Sequence, residues 1–65
     1  MTKIRAVIAD DHSIVRDGLR LLLEADADIK IVGEAGSGPE AVDRVAETTP
    51  SLLCLDLSMP GWGVF

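Results

Sequence analysis

Three aspartates stand where apolar runs stop. Ile4 to Ala9 closes on Asp10-Asp11, and Leu52-Leu53-Cys54-Leu55 closes on Asp56, ahead of a break at Pro60-Gly61. Short, continuously apolar runs bounded by turn signals read as strands buried on both faces, as in a parallel sheet. Aspartate is poor strand material. At the carboxyl ends of such strands it occupies the edge where open α/β sheets bind ligands. The plain alternative is that Asp56 begins a turn and that Asp10-Asp11 caps a helix. Three carboxylates gathered in one crevice repel one another, and at least one is pushed to hold a proton unless something compensates. A hard divalent cation does so, and oxygen ligands suit magnesium, manganese or calcium. Magnesium held through one or two carboxylates keeps waters and accepts phosphate oxygens. That combination suggests phosphoryl chemistry with one carboxylate as nucleophile. Asp56, isolated on its own strand, is the better nucleophile candidate, and the Asp10-Asp11 pair is better suited to holding the ion.

The elements that must assemble this crevice follow from periodicity. A strand is expected over about 3–9, with Ile4, Ala6 and Ile8 on one face and Val7 and Ala9 on the other. A helix over about 13–25 carries Ile14, Val15, Gly18, Leu19, Leu22 and Leu23 inward and Arg16, Asp17, Arg20 and Glu24 outward. Asp11, His12 or Ser13 is placed to cap its first turn, and Gly18 weakens it, which suggests close packing on the sheet. A strand over about 29–35 turns Ile29, Ile31, Gly33 and Ala35 one way and Lys30, Val32 and Glu34 the other. Its charges fit an edge strand. Ser37 and Glu40 match a capping box with Pro39 in the first turn, opening a second helix over about 38–48. The third strand is expected over about 52–57. Strands alternating with helices imply a parallel sheet with right-handed crossovers. With the charged strand at an edge, the spatial order is 2-1-3 with helices on both faces. The winding then reverses between strands one and three, which opens the crevice at the three aspartates.

Composition narrows the classes. The 65 residues allow one small domain, nearly half of them apolar, too apolar for a disordered segment. A net charge of −5 argues against nucleic acid or anionic membrane as a direct contact. No run approaches the length of a membrane span, and the N-terminus lacks the apolar core and cleavage site of a signal peptide. The lone Cys54 reads as a buried thiol in a reducing cytoplasm. His12 reads as a helix-start residue. The glycines at 33, 36 and 38 match neither a dinucleotide fingerprint nor a Walker loop.

Read together, these residues resemble a known family. Ala9-Asp10-Asp11-His12-Ser13-Ile14-Val15-Arg16-Asp17-Gly18-Leu19, Val32-Gly33-Glu34-Ala35 and Asp56-Leu57-Ser58-Met59-Pro60-Gly61 are similar to the first half of a response-regulator receiver domain of the NarL/FixJ subfamily. The resemblance runs from about Ile4 to Gly61. It implies a truncated flavodoxin-like α/β unit and a phospho-accepting signalling module rather than an enzyme in its own right. Asp56 would accept a phosphoryl group from the phosphohistidine of a sensor histidine kinase. Asp10, Asp11 and Asp56 would ligate magnesium, or manganese in its place, with the Ser58 backbone carbonyl completing the protein ligands. The family continues from Met-Pro-Gly into a third helix, whereas Trp62-Gly63-Val64-Phe65 stands here. The fourth and fifth strands, the hydroxyl residue and lysine that bind the phosphoryl group, and a DNA-binding output domain are not in this sequence, so impaired switching is expected.

Without a fourth strand, the third strand has an open outer edge, and exposed apolar edges recruit other strands. Self-association of two copies through Leu52 to Leu57 is therefore expected, with a non-catalytic receiver-like assembly fragment as the alternative function. A metal-dependent phosphatase lacks any evident general acid or substrate-binding basic residue.

Overall fold

Through the middle of a three-stranded parallel sheet runs β1 (Ile4–Ala9), between β2 (Ile29–Ala35) and β3 (Leu52–Leu55), in the order β2-β1-β3. The computed structural model describes residues 3–56. Helix α1 (Ser13–Glu24) joins β1 to β2, and α2 (Gly38–Thr48) joins β2 to β3. Right-handed crossovers that step out to β2 and then back past β1 place successive helices on opposite faces. Both helices pack on β1 and β2, and they do not contact each other. The α/β order expected from the alternation of strands and helices is the one the chain adopts.

The core sits on β1. Ala6, Val7, Ile8 and Ala9 are essentially inaccessible, and Ala35 and Ala41 close over the Val7–Ala9 face, where Ala9, Ala35 and Ala41 form one cluster. Small side chains at that contact let α2 lie close to the sheet. Ile8 and Val7 are the only large side chains fully buried among the described residues.

The alternation expected for β2 is broken by a bulge. Ala6 pairs with Ile31, but Val7 pairs with Gly33, so the register skips Val32. An unpaired extra residue resets which face every later side chain takes. Gly33 and Ala35 therefore face α2 with Val7 and Ala9, as Gly33's closeness to Arg44 shows. Ile31 and Glu34 instead share the α1 face with Ala6 and Ile8. A period-2 pattern carries no mark of such an insertion, which is why the sequence separates Ile31 from Glu34.

The inward face expected for α1 is also only partly inward. Ile14, Leu22 and Val15 are 85%, 73% and 48% exposed, and a side-chain carbon at Gly18 would meet nothing within 4 Å. Gly18 does not serve close packing here. Arg16 and Arg20, expected outward, turn back onto β2 and meet Glu34. Likewise β3 is not buried on both faces. Leu52, Leu53 and Leu55 are 36–39% exposed and Cys54 is half-buried, because the helices cover β1 and β2 and nothing described covers β3. Leu57 lies outside the described residues, so the expected extension of this strand to 57 does too.

Local chemistry sets the helix ends. Ser37 caps α2 by accepting from the Glu40 N–H at 3.3 Å, its hydroxyl donates to the Glu40 carboxylate, and Pro39 occupies the first turn. His12 holds the cap position of α1 without any side-chain cap bond, because its ring is engaged elsewhere. Thr49 ends α2 in the left-handed region (φ 45°). A β-branched residue takes that conformation at a cost. It is pinned by its N–H to the Val45 carbonyl at 2.8 Å and by Arg5, whose guanidinium donates to the Thr49 carbonyl at 3.3 Å.

Candidate functional site

The carboxyl edge of the sheet delivers the acidic residues to one place. β1 ends at Ala9, and the Asp10 N–H donates to the Ala35 carbonyl at 3.0 Å, so Asp10 starts where the ladder stops. On the other side the Asp56 N–H donates to the Ala9 carbonyl at 2.9 Å, which aligns Asp56 beside Asp10 on the neighbouring strand. Asp10, Asp11, His12 and Asp56 each offer one ligand atom within 4.8 Å of all the others. Ligands on opposite sides of an ion with bonds of about 2.1 Å lie about 4.2 Å apart. A small closure would therefore seat a magnesium- or manganese-sized ion among them. Three carboxylates supply the hard oxygen donors such ions prefer, so the donor set fits. Ser58, whose carbonyl is the fourth expected ligand, lies outside the described residues.

Asp10 is the buried member, 6% exposed. Its Oδ1 accepts the His12 N–H at 2.8 Å and lies 3.1 Å from His12 Nδ1, while Asp11 Oδ1 lies 2.9 Å from the same nitrogen. The sequence reading favours a helix start for His12 over a catalytic or metal role, whereas its ring stands among the acids. The signal available was its place immediately after two acids. The Asp10 hydrogen bond and then the Asp11 charge hold the His12 imidazolium above the ordinary value of 6.5, against desolvation, with smaller contributions from the Asp10 and Asp56 charges. A raised folded-state value contributes stability that is complete below the unfolded value and fades as pH rises through the folded one. In an NMR titration without metal, His12 will titrate above 6.5, and Asp10→Asn will bring it down; a wild-type value at or below the ordinary one would contradict this arrangement.

Residues 6–63 match the family model of the response regulator receiver domain. The chain belongs to this receiver-domain family. Its receiver sequence is 51% identical over 57 residues to the uncharacterized transcriptional regulatory protein YhcZ of Bacillus subtilis, covering 88% of this chain and 27% of that protein. It is 45% identical over 58 residues to the transcriptional regulatory protein LiaR of the same organism, covering 89% and 28%. The receiver fold superposes on the signal receiver domain of the putative response regulator NarL from Mycobacterium tuberculosis with a TM-score of 0.91 at 34% identity, covering 94% of this chain and 49% of that one. The chain thus spans about a quarter of the length of these two curated relatives and half of a receiver structure. The three-stranded 2-1-3 sheet with its two helices is the first half of the flavodoxin-like receiver fold. No helix among the described residues is long and apolar enough to cross a membrane.

Proposed function

We propose that this receiver segment holds the phosphoacceptor and the cation site of a cytoplasmic two-component regulator of transcription. Asp56 takes a phosphoryl group from the phosphohistidine of a sensor histidine kinase. The observation that carries this reading is the convergence of Asp56 with Asp10 and Asp11, from two adjacent strand ends, within 4.8 Å.

In the proposed step, a carboxylate oxygen of Asp56 attacks phosphorus. A P–O bond forms and the P–N bond breaks. The electron pair stays on the departing imidazole, which takes up a proton. Asp56 is presented for this by its backbone bond to Ala9, and Asp10, Asp11 and Asp56, with the Ser58 carbonyl, would hold magnesium. When bound, the ion neutralises charge on the transferred group. A cation held there would offset the mutual repulsion of the three carboxylates. The net charge of −5 favours contact with a kinase over contact with DNA by this segment.

Exposure to acetyl phosphate and magnesium followed by intact-mass measurement tests the reading. The wild-type chain gains one phosphoryl group, and Asp56→Asn or chelation of the metal abolishes the gain. No adduct, under conditions that modify an intact receiver, would sink it.

A second reading, assembly, is favoured by one observation: among the described residues, the outer side of β3 has no partner strand. Leu52, Leu53 and Leu55 are exposed beside an apolar groove of about 370 Å³ lined by Ala41, Val42, Val45, Ala46 and Leu53. Two copies joined edge to edge would cover it. Sedimentation should then show a concentration-dependent dimer that Leu53→Asp dissociates, whereas a folded monomer at all concentrations would exclude it.

A further inference from the structure

We propose that Arg16, itself held by Glu34, is a positioning residue that fixes the Asp10 carboxylate and thereby sets the cation affinity of the site; this rests on the cation reading above. The Arg16 guanidinium Nη1 donates to the Asp10 backbone carbonyl at 2.6 Å, and its Nε lies 3.2 Å from Glu34 Oε1. The side chain is 24% exposed and that of Glu34 30%, so the ion pair is partly shielded from water and less screened than a surface pair. Asp10 is consequently held at every backbone polar group. Its N–H is bonded to Ala35, its carbonyl to Arg16, and its side chain accepts from His12.

The geometry depends on the β2 bulge. Without the skipped Val32, Glu34 would pair with Ala9 and face α2. With it, Glu34 pairs with Ile8 and faces α1, where Arg16 and Arg20 meet it. Gly36 leaves room for the same contact, since a side-chain carbon there would stand 3.3 Å from Arg16 Nη1. Three local departures from the simple pattern thus converge on one guanidinium: the bulge, the inward-turned arginine and the glycine. Arg20 reaches Glu34 only at 3.6 Å and has no bond to Asp10, which makes it the natural control.

Electrostatics alone predicts the opposite effect from positioning. Arg16 is a cation near a cation site, so its removal should tighten metal binding if it acts only through charge. If it positions Asp10, its removal weakens binding by about tenfold, as loss of a group that orients a ligand does. The experiment is Mn2+ titration by calorimetry of the wild type, Arg16→Met, Glu34→Gln and Arg20→Met, with hydrogen exchange of the His12 amide measured without metal. Arg16→Met is expected to lose about tenfold in affinity and to exchange the His12 amide faster. Glu34→Gln should go the same way to a smaller extent, and Arg20→Met should match the wild type. Unchanged or tighter binding with unchanged exchange in a folded Arg16→Met overturns the proposal. If that variant does not fold, Glu34→Gln and Gly36→Ala decide by the same criteria. If the wild type binds no Mn2+, the cation reading fails, and positioning is judged by the His12 amide alone: faster exchange supports it and unchanged exchange overturns it.

Discussion

Asp10→Asn will cost this receiver on the order of a hundredfold in Mn2+ affinity while leaving its fold intact. Asparagine has the same shape and keeps an oxygen that can accept the His12 N–H, the bond made at 2.8 Å in the wild type. It removes only the charge. With 6% exposure, Asp10 is the carboxylate least screened by water, so its charge acts on a bound cation through the lowest local dielectric of the site. Removing it relieves repulsion among Asp10, Asp11 and Asp56 in the metal-free chain. At a pH above the raised His12 value, where the Asp10–His12 pair adds no stability, the urea midpoint without metal should therefore hold or rise while metal affinity collapses, a separation typical of functional sites that carry destabilising charge. Calorimetry and urea unfolding on the same sample check both halves. A variant that binds Mn2+ as tightly as the wild type would show that the three aspartates do not share an ion.

Ile8→Ala will unfold the chain. Truncating a buried isoleucine costs about 2–5 kcal/mol, and Ile8 is one of two large side chains fully buried among the described residues. A chain of 65 residues has little stability to lose. Leu22→Ala provides the contrast. Leu22 is a larger apolar residue than alanine by the same order, yet it is 73% exposed, so its loss should change stability by no more than about 0.5 kcal/mol. Circular dichroism at 25 °C with a urea series distinguishes the two. Equal effects at both positions would mean that the solution core is not centred on β1.

These contrasts show where the pattern of apolar residues is informative and where it is not. The helical spacing of Ile14, Gly18 and Leu22 marks them as one face as surely as the run from Ala6 to Ala9 marks a strand. Spacing says that a face exists, however, and not whether anything lies against it. Among the described residues α1 contacts only β1 and β2, and the stripe stays exposed. The same holds for β3, whose apolar run is that of a central strand and whose position here is an outer one.

The sequence by itself determined the element types, their order, the parallel sheet and the gathering of Asp10, Asp11 and Asp56. All of these follow from local periodicity, turn chemistry and the fixed hand of crossover connections. Tertiary structure alone decided the bulge at Val32 and the inward turn of Arg16 onto Asp10 and Glu34, whereas the ring of His12 meets the two acids that precede it in the chain. Two physical reasons apply. An extra residue in a ladder costs little and leaves no periodic trace, and a long polar side chain is directed by the charge it finds across the fold. Glu34 lies well away from Arg16 along the chain and becomes its neighbour only once the strands have paired.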